Sequence, residues 1–457
     1  MVCIFDGKSF LKVSDFMFTN KDLRNMIIPI FFEQFLLMLV GLADTFVVSY
    51  AGEDAVSGVS LVNSFNTILL FLFTALASGG AVIICQYIGC KDKENSNKSA
   101  CQLLMFSTVF SVVLSVLILI FSHSILVLLF GKVEQSVMNA CVTYLKISVY
   151  SFPALAIYNA GAALCRSIGK SNVTMNVSIF ANFINILGNC IGVYVLKMGV
   201  AGVAYPSLIS RTISAIAVTV YCFKKNNMVS YRWKYIFTWN GSILKKVMKV
   251  AVPNGVENGV HQLVKVAISS IIALFGTCQI AANGVAQSIW SLAALMGLAL
   301  SPVYTTVIGR CMGANDIKSA NFYFKKLNKL TTILSIAWNG FVIAITPILL
   351  QFFTLSAEAK HLVIIMVIIN NAINGLVFTY AGPLGNGLRA AGDVKFTMII
   401  SVSLTVFARL FFSIILGITL NLGVIGVTIG MCIDLIIRAV IFLCRYKSQK
   451  WTKFKLI

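Results

Sequence analysis

The stretch Gly199-Val200-Ala201-Gly202-Val203 is echoed 224 residues later by Gly423-Val424-Ile425-Gly426-Val427, and this echo decides how the chain is read. Working outward at the same spacing, Pro29-x-x-x-Glu33 returns as Pro253-x-x-x-Glu257, Gly52 as Gly276, and Gly89-x-x-Asp92 as Gly313-x-x-Asp316. Arg166-x-x-Gly169 and Thr174-Met175 return one residue out of step, as Arg389-x-x-Gly392 and Thr397-Met398. Matches at a nearly constant offset over the whole length mark an internal duplication.

Composition says what kind of fold is duplicated. The 457 residues are 58% hydrophobic and 11% charged, with a mean hydropathy of +0.90. A soluble chain of this length could not cover so much apolar surface. Runs of about 20 apolar residues instead suit a bilayer core about 30 Å thick. Twelve are predicted, near 26–50, 60–88, 102–122, 138–165, 172–195, 200–223, 248–273, 280–308, 327–350, 361–388, 396–420 and 424–444. The expected fold is an all-α membrane protein of twelve transmembrane helices. An N-lobe (26–223) and a C-lobe (248–444) hold six spans each, with tails 1–25 and 445–457 and a linker 224–247. Because six is even, the copies are parallel repeats, related by a pseudo-two-fold axis along the membrane normal.

The net charge of +21 invites a nucleic-acid reading that its distribution refuses. Of 36 Lys and Arg, 28 fall in the two tails and in alternate loops, while the other loops hold only Lys132, Lys197 and Lys360. That is the positive-inside pattern, which puts both termini in the cytoplasm. The stretch 224–249, with seven basic residues, no acid, and Trp233, Tyr235 and Trp239 interleaved, suits a headgroup layer or a solvated joint. The first 25 residues carry Asp6, Asp15 and Asp22 without a continuous apolar run, unlike a cleaved signal peptide. The twelve cysteines form no C-x-x-C pair and sit mostly inside spans, so neither a metal nor a disulfide framework is expected.

Polar residues inside spans are costly and therefore informative. Glu33 and Asp44 lie three helical turns apart on one face of the first span, about 16 Å along its axis. Asp44 is either an acid that exchanges a proton or holds a sodium ion, or a structural acid satisfied by amides. Asn182, Asn185 and Asn189 form a stripe on span 5 that could ligate an ion or glue helices together. On span 7, Glu257, His261 and Lys265 follow at i, i+4 and i+8, as a proton relay or a mutually neutralised triad, and Ile268 stands where the aspartate would recur. Gln34, Asn283, Gln287, Asn370 and Asn374 complete the cavity candidates. Arg166 and Arg389 sit where helices end near Gly169 and Gly392, and read as turn residues favouring the helix dipole and the inner surface.

Together these residues resemble the multidrug and toxic compound extrusion (MATE) transporters. The resemblance spans residues 25–445 and rests on Pro29 with Ala43-Asp44-Thr45, Ala51-Gly52 and Ala55. It rests also on Gln86-Tyr87-x-Gly89, on Asn185-x-x-x-Asn189 ahead of Gly199-Val200-Ala201-Gly202, and on Leu388-Arg389-Ala390-Ala391-Gly392-Asp393. It implies two lobes around a central cavity that opens alternately to either side, and export of organic, mostly cationic compounds in exchange for H⁺ or Na⁺. The family's span-1 aspartate matches Asp44, and its span-5 polar pair matches Asn185 and Asn189, where some members carry an acid at the second position. His261 and asparagines such as Asn374 replace the second-lobe acids of members that bind a cation there.

The resulting expectation is a monomeric, multi-pass antiporter of the cell membrane. Asp44, Asn185 and Asn189 couple the ion, no cofactor beyond that ion is needed, and the partners are organic cations and the lipid bilayer. A flippase for lipid-linked saccharides is the alternative. A membrane-embedded enzyme is remote, because His123, His261 and His361 are far apart and no H-E-x-x-H or G-x-S-x-G occurs.

Overall fold

The computed structural model describes residues 17–457 except Ala51, Lys132 and Thr354; within α1 the side chains of Leu42, Ala43, Thr45, Phe46 and Ser49 are also outside the description. Residues 1–16 of the expected tail, Lys132, and part of the Ala43-to-Ala51 motif therefore lie outside the described residues.

The first repeat runs α1 (Asn20–Ser49), α2 (Glu53–Gly89), α3 (Lys93–Phe130), α4 (Gln135–Tyr150), α5 (Phe152–Ser167), α6 (Ser171–Cys190) and α7 (Ala201–Cys222). After the short α8 (Trp233–Ile236), the second repeat runs α9 (Gly241–Ala273), α10 (Thr277–Ala293), α11 (Leu295–Gly313), α12 (Ile317–Leu349), α13 (Ala357–Ala381), α14 (Pro383–Ala390), α15 (Val394–Ser403), α16 (Leu410–Ile414) and α17 (Gly423–Lys447). The corresponding spans of the two copies are both interrupted, at different places. α4 and α5 meet at a 44° bend, with Pro153 in the first turn of α5, and α13 gives way at Gly382 to α14, which opens on Pro383. Proline lacks the N–H that a helix interior requires, so it opens a helix better than it continues one.

Among the described residues, ten helical stretches are long and apolar enough to cross a membrane, or eleven with the bent α4–α5 pair. The predicted seventh span, α9, is long but not apolar enough: its 33 residues carry Lys245, Lys246, Lys249, Glu257, His261 and Lys265. The predicted eighth span, expected to be continuous over 280–308, is broken at Ala294 into α10 and α11.

The structure explains the one-residue slip between the copies. α6 ends in a π-helical turn, Ile191–Val195, and its counterpart ends in the π-helical turn Ile415–Thr419, 224 residues on. The second copy has an additional π-helical turn at Leu404–Arg409, between Thr397, offset by 223, and Gly423, offset by 224. A π turn is how a helix absorbs one inserted residue without losing its hydrogen-bonded run. By the 224 spacing, Arg409 stands at the counterpart of Asn185, and Ser413 at that of Asn189.

The repeated glycine motif is also physical. Gly199 and Gly423 each take φ +56°, in the left-handed region that side chains disfavour. Gly202 and Gly426 allow two backbones to meet: a Cβ on Gly202 would lie 2.7 Å from the carbonyl carbon of Gly192, and one on Gly426 would lie 2.5 Å from that of Leu416. The repeated aspartates cap helices, Asp92 accepting from the Asn95 amide and Asp316 from that of Ser319, both at 2.9 Å.

The described chain groups into two compact units, Ile28–Gly255 and Val256–Ile457 with the residues before Ile28. The first is built on Val59, Val62, Phe73, Tyr144, Leu145 and Phe152; the second has a core around Ile272, Val285, Ile289, Val342, Val363 and Met366. The linker is fastened to α3. Gln102 donates to the carbonyls of Tyr235 and Thr238, and Asn97 accepts from the Ser230 amide. Residues 445–457, expected as a tail, are docked. Trp451 is fully buried against Phe324 and Tyr446, and Arg445 pairs with Asp393 at 2.6 Å.

Candidate functional site

The three repeated polar elements of the sequence are one cluster in each unit. Glu33 on α1 is 1% exposed, receives Arg166 Nη2 at 2.7 Å, and accepts hydroxyls from Thr174 at 2.9 Å and Tyr158 at 3.2 Å. Glu257 on α9 receives Arg389 Nη2 on both oxygens at 2.7 Å, while the same guanidinium reaches Thr397 and Asn386. Arg166 and Arg389 are thus more than turn residues: each neutralises the glutamate that recurs with it. A buried carboxylate needs such a partner, since an isolated charge in a dry interior is strongly disfavoured.

Asp44 has a different environment. Asn189 Nδ2 donates to Asp44 Oδ1 at 2.7 Å and lies 3.3 Å from Asn185 Oδ1; Asn185 Nδ2 in turn donates to Ser207 Oγ at 3.0 Å. This chain links α1, α6 and α7, so the predicted trio comes together. Asn182 is aside from it, donating to Ser178 at 3.4 Å. Asn189 Oδ1 is buried without a partner. One turn beyond Ser207, Arg211 donates to Ser151 Oγ at 2.8 Å and lies within electrostatic reach of Asp44 without pairing with it. Of the four carboxylates inside the long helices, Glu33, Glu257 and Asp434 are in arginine ion pairs. Among the described residues Asp44 is the one that is not.

The predicted Glu257–His261–Lys265 series does not neutralise itself. Glu257 is taken by Arg389, and Lys265 is exposed and outside any described ion pair. His261 faces a buried cluster from α15–α17: its Nδ1 lies 3.2 Å from Thr405 Oγ1 and its Nε2 3.5 Å from Arg409 Nη1. Arg438 Nη2 donates to Thr405 at 2.8 Å and to both oxygens of Asp434 at 2.8 and 3.0 Å.

The remaining candidates are mixed. Asn374 donates to Asn339 on α12 at 3.1 Å, and Asn370 accepts from the Cys432 thiol at 3.5 Å, both buried as interhelical contacts. Gln34, Asn283 and Gln287 are half-buried, with no side-chain hydrogen bond among the described residues. A cavity of about 860 Å³ in the first unit, lined by residues such as Met105, Ile157, Val220, Trp233 and Phe237, is apolar and holds none of the predicted residues. Arg211, Arg409, Asp434 and Arg438 are functional candidates that the sequence pattern does not single out. The charge count contains the signal: 28 basic residues in the tails and one set of alternate loops and three in the other set leave five of 36 within the expected spans.

Comparison with known proteins fits this organisation. The MatE family model matches residues 29–191 and again 253–415, each match opening on the repeated proline. The uncharacterized transporter YisQ of Bacillus subtilis is 26% identical, with 98% of each chain covered. The probable multidrug resistance protein NorM of Thermotoga maritima is 23% identical, covering 98% of this chain and 96% of its own. A solved MOP superfamily transporter from Pyrococcus furiosus, described as having a binding pocket of reverse polarity, has the same fold. Its TM-score is 0.88 at 21% identity, covering 95% of this chain and 96% of the other. The doubled family match, the all-helical apolar architecture and the paired clusters agree: the chain belongs to the MatE family and is a multi-pass membrane transporter rather than an enzyme.

Proposed function

We propose that this chain, acting as a monomer with both termini in the cytoplasm, exports organic, mostly cationic compounds across the cell membrane in exchange for an inbound ion. We propose further that this ion is a proton carried by Asp44. The observation that carries the reading is the isolation of Asp44: it is the helix-interior carboxylate without an arginine partner among the described residues. A membrane-embedded acid left unneutralised by a fixed cation can exchange a mobile one. Relatives named as multidrug resistance or multidrug export proteins support the substrate class.

Protons suit the site better than sodium. Around Asp44 stand an amide N–H from Asn189 and, farther off, the Arg211 guanidinium. Both are positive ends of dipoles or charges, whereas a hard cation seeks several oxygens. Ionised Asp44 attracts an organic cation across a low dielectric; protonation removes the attraction and releases it. Exchange becomes directional when only loaded states interconvert, which requires differential affinity for the two.

Reconstituted vesicles with separately imposed gradients test this. A pH gradient is expected to drive uptake or release of a fluorescent cation, a sodium gradient alone to fail, and Asp44→Asn to abolish the driven flux at normal expression. Undiminished pH-driven transport by Asp44→Asn would refute the role of Asp44, and sodium-driven transport would refute the choice of ion.

A further inference from the structure

We propose that the second unit carries a binding site for the carboxylate group of a solute, formed by Arg409 and Arg438 with His261 and Thr405. The proposal goes beyond the export reading and stands independently of which ion Asp44 exchanges.

Arg409 is 9% exposed, and its one described side-chain contact is the long 3.5 Å approach to His261. A guanidinium offers five N–H donors, and here Nε is buried without an acceptor. The nearby acid, Asp434, is engaged through both oxygens by Arg438 and makes no described hydrogen bond to Arg409. Arg438 also has a buried Nε without a partner. Two arginines against one aspartate leave an excess of one positive charge in a dry cluster. Exposed Lys265, one turn from His261, adds to the field at its edge. Proteins do not normally keep an unpaired buried cation; leaving one exacts a large desolvation cost unless an anion supplies the missing half of the pair.

Position in the fold gives a second, independent line. Arg409 ends the π-helical turn that is present only in the second copy among the described residues, and π turns concentrate at functional sites. The inserted residue is absorbed within Leu404–Arg409, so Arg409 stands where the register between the copies changes. At the equivalent places the first unit has Asp44, Asn185 and Asn189, and the second has Ile268, Arg409 and Ser413. The acid is gone and a cation has come in, so the polarity of the site is inverted. Ser413 is fully buried, with a hydroxyl that also lacks a partner.

The chemistry selects the ligand. A planar guanidinium fork matches a carboxylate in two parallel hydrogen bonds. An excess of one charge suits a monoanion better than a phosphate ester, which carries closer to two. His261 and the buried Thr405 add further groups able to donate beside the two arginines. The solute is then an organic acid or a zwitterion, its acidic end held in this unit.

The test uses the purified full-length protein in detergent, with benzoate as the carboxylate probe, uncharged benzamide as its isostere, and chloride and inorganic phosphate as competing anions. Binding is read by calorimetry in the absence of any gradient, so its failure is separate from a failure of cation export. Benzoate is expected to bind and benzamide not to. Arg409→Gln is expected to weaken benzoate by about tenfold or more, and Arg409→Lys, which keeps the charge but loses the fork, to weaken it less. If Arg409→Gln does not fold, the wild-type comparison decides alone. Equal binding of benzoate and benzamide, no binding of either, or tighter binding of phosphate or chloride than of benzoate would each overturn the proposal.

Discussion

Replacing Arg166 by Met tests the claim that the repeated Glu–Arg–Thr cluster is a structural clamp. The substitution keeps most of the side-chain volume and removes the charge that faces Glu33 at 2.7 Å. Glu33, 1% exposed, then keeps only the Thr174 and Tyr158 hydroxyls. Breaking a buried pair on one side costs about 3–5 kcal/mol, because a charge is left without a partner. For a unit of this size each kcal/mol corresponds to roughly 2–4 °C in the unfolding midpoint, so the expected fall is roughly 6–20 °C. Adding Glu33→Gln removes the orphaned charge and is expected to recover most of the loss. The matching change Arg389→Met should cost less, because Glu257 is 12% exposed and so less fully buried than Glu33. Apparent midpoints in detergent, at one fixed heating rate since unfolding of such proteins is commonly irreversible, provide the measurement. A single variant within about 2 °C of the parent, or a double variant no better than the single, would refute the clamp.

Gly202→Ala and Gly426→Ala should each be destabilising by about 1–3 kcal/mol or more, since the added methyl meets backbone that cannot rotate away; thermal midpoints report this, and a neutral result at either site would mean that the close approach is not required. Asn189→Leu should shift the pH dependence of export, because it removes the amide that donates to Asp44, and a profile identical to the parent's would separate Asn189 from the coupling site. Asp92→Ala should cost about 1 kcal/mol through loss of the α3 cap. The Asn95 amide holds the Asp92 carboxyl below its ordinary value of 3.8, so the cap is at full strength above that value and weakens as pH falls through the lower folded-state value. The gap between parent and variant should therefore close in acid and not in base.

Much of the fold is legible because duplication writes backbone constraints into sequence. Gly199 and Gly423 need a left-handed φ, Gly202 and Gly426 need room, and Asp92 and Asp316 need free amides, so these residues recur at fixed spacing. The trio Asp44, Asn185 and Asn189 is legible because helical periodicity puts the asparagines on one face. What sequence hides is partnership. That Glu33 belongs to Arg166 and Glu257 to Arg389 depends on contacts 132 or 133 residues apart, which no local pattern encodes. Arg211, Arg409 and Arg438 escape a reading that weighs acids and the opening helices of each repeat, because each lies deep in a later span. The π turn at Leu404–Arg409 shows in the sequence only as a slip in register, and the helix that holds it gives the slip its meaning.

The comparison between the two copies separates framework from chemistry more sharply than either copy alone. Where both repeats need the same thing, they keep the same residues: the glutamate–arginine pairs, the capping aspartates, the closely packed glycines. A charged group kept for packing has no reason to be lost or gained between two halves that share one fold. Yet the positions of Asp44 and Asn185 become Ile268 and Arg409, and the helix holding Arg409 takes on an extra residue to aim it. The inserted residue is absorbed at Leu404–Arg409, beside a buried cation outside any described ion pair. Those two departures from the repeat fall in one cluster, which argues that they serve one purpose. The first unit holds Asp44 outside any described arginine pair with Arg211 nearby, and the second holds Arg409 outside any described ion pair with no acid at the place of Asp44; the two proposals rest on that asymmetry.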